Sequence, residues 1–254
     1  MRNTLALALG LAAALTGLFL RIHNESGASE LPPIVLWAWE RPEELRYLDA
    51  ETVGVAYLAG TITLRGDTVM AVPRLQPLKV SAGTHLAGVV RIEADVTRSP
   101  SMSGEQREKA VREILRMTYH PGVTTCQIDY DARKSERAFY TDLIRDLRRR
   151  LPRVQKLSIT ALASWCLDDD WIAGLPIDEA VPMLFRMGPE DREVRRRLRS
   201  GRDFTDRACR ASAGVSTDEP LPPLRRGRRV YIFHPRPWTQ TAAQAIIRQV
   251  RSRQ

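Results

Sequence analysis

The sequence predicts a single α/β domain of the (β/α)8 TIM-barrel class. Several helices should be shortened or replaced by loops, and a signal or anchor segment precedes the barrel. Three observations predict this. Eight short runs of strand-forming residues punctuate residues 30–254, several followed by segments in which apolar residues recur at helical spacing. The unusual polar residues cluster at the ends of those runs, where such barrels build their active sites: Glu40, Glu93, Asp129, Asp131, Trp165, Arg186, Asp218, Glu219 and His234. No internal repeat and no long linker divides the chain, and 254 residues with 43% hydrophobic content suffice for one large domain.

Residues 1–29 read as a targeting segment. Arg2 gives a positive start, Leu5–Leu20 is an apolar run broken only by Thr16, and Ser26-Gly27-Ala28 offers small residues for cleavage. The run is slightly short for a spanning helix, so it predicts either a cleaved leader or an uncleaved membrane anchor through residues 4–20. Both place the barrel outside the cytoplasm, in the periplasm or cell envelope.

The first strand is Ile34–Trp39, an apolar run rich in strand formers, followed by a short helix opened by Pro42 and running to Leu48. Val53–Leu58 is the second strand. Thr61–Leu64 and Thr68–Val72 flank Arg65-Gly66-Asp67 and read as a hairpin, so the triplet is a turn and not an adhesion motif. Leu86–Glu93 is the third strand, with Val89, Arg91 and Glu93 on one face. Ser103 and Gln106 fit a capping box ahead of a helical stripe of Ala110, Val111, Ile114, Leu115 and Thr118. The fourth strand begins at Thr124. Its helix follows from Ser135 with Tyr140, Leu143, Ile144, Leu147 and Leu151 facing inward. Leu157–Ala163 and Ala180–Phe185 are the fifth and sixth strands, and a charged helix spans 189–200. Ser212–Thr217 and Arg229–Phe233 are the seventh and eighth. A last helix, Thr241–Arg251, has Ala242, Ala245, Ile246 and Val250 as its expected inner face.

The fourth strand carries the most informative chemistry. Side chains alternate faces, so Gln127, Asp129 and Asp131 point the same way, with the two carboxylates about 6.5–7 Å apart along the strand. Asp is depleted in strands, and a pair of carboxylates at one strand end suits acid/base or glycosidase chemistry.

The formal net charge is +9, mostly Arg grouped in 145–153, 192–202 and 225–229. No zinc-ligand spacing, RNA-binding aromatic signature or helix-turn-helix pattern accompanies it, so nucleic acid is not the expected partner and solvated helix faces account for the excess. Among Cys126, Cys166 and Cys209, an exported protein permits one disulfide. Cys126 sits inside a strand as a buried apolar residue, which leaves Cys166 and Cys209 as the candidate pair.

The motifs Leu36–Arg41, Gln127–Asp131, Thr160–Cys166, Ser216–Pro220 and Phe233–Trp238 resemble an uncharacterised bacterial family of exported proteins, a domain of unknown function. A more distant likeness is to chitinase-type glycoside hydrolases, which carry Asp-x-Asp-x-Glu on the fourth strand. Here Gln127 takes the first Asp position, Asp129 matches the middle one and Asp131 replaces the Glu. On the sixth strand Asp178 and Met183 match that family, whereas Phe185 and Arg186 replace its Tyr and Asp. The resemblance implies the barrel and the place of the site. It does not imply chitinase activity, because the residues that hold the substrate's acetamido group are missing.

The expected function is an exported glycoside hydrolase acting on an unidentified poly- or oligosaccharide. Asp131 is the expected general acid, Asp129 its partner or a nucleophile, and Glu93 or Asp218 the second carboxylate. The expected substrate-binding residues are Trp37, Glu40, Arg91, Gln127, Trp165, Arg186, Glu219, His234 and Trp238. The alternative is a catalytically inactive carbohydrate-binding barrel. Metal-assisted hydrolysis through Asp129, Asp131, Glu93, Asp218 and His234 ranks third, and with four His and no His-rich motif no metal and no other cofactor is expected.

Overall fold

The computed structural model describes residues 32–167, 169 and 171–253. The expected leader lies outside the described residues. Among the described residues eleven strands form: β1 Ile34–Ala38, β2 Glu43–Glu44, β3 Val53–Arg65, β4 Thr68–Pro73, β5 Leu78–Lys79, β6 Leu86–Ala94, β7 Val123–Asp129, β8 Lys156–Leu162, β9 Glu179–Met183, β10 Ser212–Ser216 and β11 Arg229–Phe233. Eight of them close a parallel barrel in the order β1, β3, β6, β7, β8, β9, β10, β11. Closure is direct, since β1 pairs with β3 on one side (Ile34 with Val53) and with β11 on the other (Ile34 with Val230). The eight predicted strands are these eight. Their sequences read as continuous apolar runs because each is packed on both faces.

Among the described residues four α-helices lie outside: α1 Gly104–Thr118, α2 Arg137–Arg150, α3 Asp191–Arg199 and α4 Gln240–Arg251. The β1–β3, β3–β6, β8–β9 and β10–β11 crossovers have no α-helix. Ser103 caps α1 by accepting from the Gln106 N–H at 3.1 Å. The Gln106 side chain reaches back to the Met102 N–H at 3.0 Å and donates to the carbonyls of Gly66 and Thr68, both at 2.9 Å. One residue thus completes the cap and fastens the β3–β4 hairpin to α1. That hairpin extends β3 above the barrel rim, and at Gly60 its register shifts against β6. A Cβ there would collide with the Met117 sulfur and the Val72 carbonyl, so only glycine fits.

Two packed regions result. The outer layer joins the strands to the helices through residues such as Ile62, Ile128, Ile144 and Leu157. The barrel interior is a smaller cluster of Val35, Trp37, Ala56, Ala87, Val89, Val181, Phe185 and Tyr231. Gly214 of β10 makes room for the Trp37 ring, whose Cη2 would lie 3.2 Å from a Cβ at that position.

Three local expectations fail. Residues 42–48 form no helix. Glu43 and Glu44 instead pair with Leu78 and Lys79, and the buried Glu43 accepts from the Trp238 N–H at 2.9 Å, so a distant loop decides the conformation. In α4 the buried residues are Ala243, Ile246, Ile247 and Val250, which replaces Ala242 and Ala245 on the inner face. In α1, Met117 is buried and Leu115 only partly so. Cys166 and Cys209 do form a disulfide, with Cα atoms 5.8 Å apart, and Cys126 is a free, buried thiol.

Candidate active site

The carboxyl ends of β1, β6, β7, β8, β9 and β11 surround a cavity of about 300 Å³. Asp129 and Asp131 enter it from β7, Arg91 from β6 and Thr160 from β8, while Trp39, Phe185 and Phe233 supply aromatic walls. Below it, Trp37 closes the floor.

Asp129 is the last residue of β7 and is partly buried. Its Oδ1 accepts from Thr160 Oγ1 at 2.7 Å, which is its one hydrogen bond among the described residues. Burial pushes its carboxyl above the usual carboxylate range. Neighbouring Asp131 and Glu93 add to that push, and the Thr160 hydroxyl and Arg91 oppose it. Asp131 follows the strand and is exposed as a residue, yet it borders the same cavity. Crowding by protein raises its pKa too, Arg91 opposes the rise, and solvent screens part of it. No hydrogen bond fixes the Asp131 carboxylate among the described residues.

The cavity continues past this pair into a second one of about 290 Å³, lined by Arg91, Glu93, Arg133 and Glu136 as well as both aspartates. Glu93 therefore borders the site from its outer flank, ion-paired to Arg91 at 2.8 Å. Arg91 also sits 5.8 Å from the centre of the Trp39 ring. Arg186 lines the cavity from above β9 with a left-handed backbone (φ 52°), its guanidinium 5.1 Å from the Phe233 ring. Phe233 stacks on Phe185 at 5.7 Å and 8°.

The remaining expected site residues are placed elsewhere. Asp218 is at a strand end, but its carboxylate is taken by Ser216 Oγ and pairs with Arg186 at 3.5 Å, outside the cavity lining. These partners hold it below the usual carboxylate range, with the Ser216 bond the largest cause. Glu219 accepts from the Arg186 N–H and from Arg195, and so orders the loops over β9 and β10. Gln127 is fully buried one layer below the site, accepting from Trp37 Nε1 at 3.2 Å and donating to Ser158 Oγ at 3.0 Å. Trp165 is buried outside the barrel against Trp171, with ring centres 4.8 Å apart. Trp238 is buried too, donating from Nε1 to the Trp37 carbonyl at 2.8 Å. His234 stacks on Trp238 and meets Thr217 Oγ1 through Nδ1, and burial holds its pKa below the usual value. Glu40 is exposed beyond β1 and does not line the cavity. Asp178 lies at the opposite end of the barrel, binding the Leu157 N–H and Arg148.

Trp39, Thr160, Phe185 and Phe233 were not among the expected site residues. Parity offered a signal for two of them: Trp39 lies two residues beyond Trp37, and Thr160 lies opposite the Asp129 level. Among the described residues, no group of three or more His, Cys, Asp and Glu is disposed to hold a metal.

No family model and no curated protein matches the chain, and the resemblance to an exported bacterial family rests on the motifs quoted above. Distantly similar solved structures include two spore proteins. The Bacillus cereus spore cortex-lytic enzyme SleL shares 13% identity at a TM-score of 0.47, covering 72% of this chain and 50% of its own. The chitinase domain of the spore coat protein CotE from Clostridium difficile shares 14% identity at a TM-score of 0.39, covering 63% and 52%. The chain spans about half the length of either structure. The barrel assignment itself stands on the strand pairing.

Proposed function

We propose that this is an exported glycoside-hydrolase-like barrel that acts on an oligo- or polysaccharide at the carboxyl end of its strands. The observation that carries the reading is the convergence of Asp129 and Asp131 on one aromatic-walled cavity, with no hydrogen-bonded cation neutralising either among the described residues. A carboxyl with a raised pKa keeps its proton into the range where it can pass it to a glycosidic oxygen. Asp131, the more accessible of the two, is the general acid. Asp129, fixed by Thr160, is its partner or the nucleophile. Trp39, Phe185 and Phe233 offer ring faces to the apolar side of a sugar. The buried Cys166–Cys209 disulfide supports an oxidising compartment, in keeping with the leader.

A second reading, saccharide binding without turnover, is favoured by one observation. Glu93 is paired with Arg91, and Asp218 with Arg186 and Ser216, so neither is free to act as a second carboxylate across the cavity. A panel of polysaccharides separates the two readings. Turnover predicts sugar release that falls by about 10²–10⁴-fold in Asp131→Asn with binding retained, because Asn keeps the shape and cannot deliver a proton. Binding without release by the unaltered chain selects the second reading. Release that is unchanged in Asp131→Asn would remove Asp131 from the chemistry.

A further inference from the structure

Stretches 145–156, 196–210, 225–229 and 248–253 hold 19 of the 39 Lys and Arg but only three of the 30 Asp and Glu. The first two run from the ends of α2 and α3 toward β8 and β10, the third leads into β11, and the fourth ends α4. Because the eight strands are parallel, these stretches gather at the amino-terminal end of the barrel, opposite Asp129 and Asp131. Some of their cations are consumed internally, such as Arg148 with Asp178 and Arg229 with Glu179. Arg153, Arg199, Arg202, Arg207, Arg226 and Arg248 are exposed, and none has an ion pair among the described residues.

Two further observations fall on the same face. Tyr119 and Val154 are 73% and 79% exposed, and their loops touch where Gln155 Nε2 donates to the Thr118 carbonyl at 3.4 Å. The described chain also enters here, through Pro32 and Pro33 into β1, with the Pro32 carbonyl held by Arg229 at 3.0 Å. Upstream of that point the sequence carries the apolar run Leu5–Leu20.

We infer that the amino-terminal face of the barrel is a docking surface for an anionic phospholipid bilayer. Exposed arginines take the headgroup phosphates, Tyr119 and Val154 sit at headgroup depth, and the mouth faces away from the membrane. Arginine mixed with an exposed aromatic and an aliphatic side chain matches a bilayer interface, and an apolar run lies upstream in the sequence. An anionic polymer would instead be tracked by a charged groove with several stacking rings, and the rings of Trp39, Phe185 and Phe233 line the opposite end.

The test uses the full chain and vesicles of phosphatidylglycerol or of phosphatidylcholine. At low salt, binding to phosphatidylglycerol should exceed binding to phosphatidylcholine by about tenfold or more, and high salt should abolish the difference. Each arginine contributes roughly fivefold. The combined variant Arg153→Glu, Arg199→Glu, Arg202→Glu and Arg226→Glu should therefore lose the preference while its phosphatidylcholine binding stays unchanged. A polarity-sensitive dye on Tyr119→Cys should shift to the blue on phosphatidylglycerol, and the same dye on Glu40→Cys at the mouth should not. Equal binding to both vesicles overturns the inference, as does a preference that survives the four substitutions. So does a dye response at position 40 instead of 119, or tighter retention by heparin than by the anionic vesicles.

Discussion

The barrel holds carboxylates at both ends, and they are treated in opposite ways. At the amino-terminal end Glu179 is 4% exposed and fully engaged: Arg229 donates to Oε1 at 2.5 Å, Tyr231 to Oε2 at 2.7 Å, and Ser158 approaches Oε2 at 3.4 Å. Ser158 in turn meets Gln127, which holds Trp37, so the network fills the barrel interior up to the floor of the cavity. At the carboxyl end Asp129 has one hydroxyl, and Asp131 has no hydrogen bond among the described residues. A buried charge is expected to be paired, and a carboxylate left underpartnered beside an open cavity is where proton chemistry is found. Glu179 is thus engaged in the architecture, and Asp129 and Asp131 are the carboxylates left for the function proposed above.

The largest effect expected from this contrast is on stability. Glu179→Ala leaves Arg229 and Tyr231 without their acceptor and should cost about 3–5 kcal/mol. For a domain of this size that lowers the Tm by roughly 6–20 °C. A thermal melt within a few degrees of the unaltered chain would show that the network is not structural. Next, replacing both Cys166 and Cys209 by Ala should cost about 2–5 kcal/mol, since the bond closes a separation of 43 residues outside the mouth. Saccharide binding should persist below the lowered Tm. Loss of binding in the folded variant would mean that the disulfide positions the site.

The smallest effect has the opposite sign. The folded-state pKa of Asp129 is raised above the ordinary 3.8, so its charged form costs stability. That cost is absent below about pH 3.8, grows as pH rises through the folded pKa, and is complete above it. Asp129→Asn should therefore raise the Tm at neutral pH, with the difference closing at acid pH. A variant less stable at neutral pH would imply that the carboxylate is well partnered after all.

The same contrast explains what could be read from the sequence. Strands packed on both faces announce themselves as apolar runs, so the eight barrel strands were legible from Ile34 to Phe233. The place of Asp129 and Asp131 followed from parity and from their position at a strand end. Depth did not follow. Gln127 shares their face, but it lies one step of about 6.5–7 Å below, inside the packed interior. Trp165 and Trp238 stand near strand ends too, yet they turn outward into packing that only distant segments supply: Trp171 for one and the Trp37 carbonyl for the other. Asp218 had the right position, and its neighbours Ser216 and Arg186 occupied it first.

The most direct test of this account is a titration of the Asp129 and Asp131 carboxyl carbons by NMR in the folded chain. The account predicts midpoints above 3.8 for both, because burial is the largest cause of each shift. Midpoints at or below 3.8 for both residues would show two well-stabilised carboxylates. They would contradict the claim that this end of the barrel holds acids poised for proton transfer.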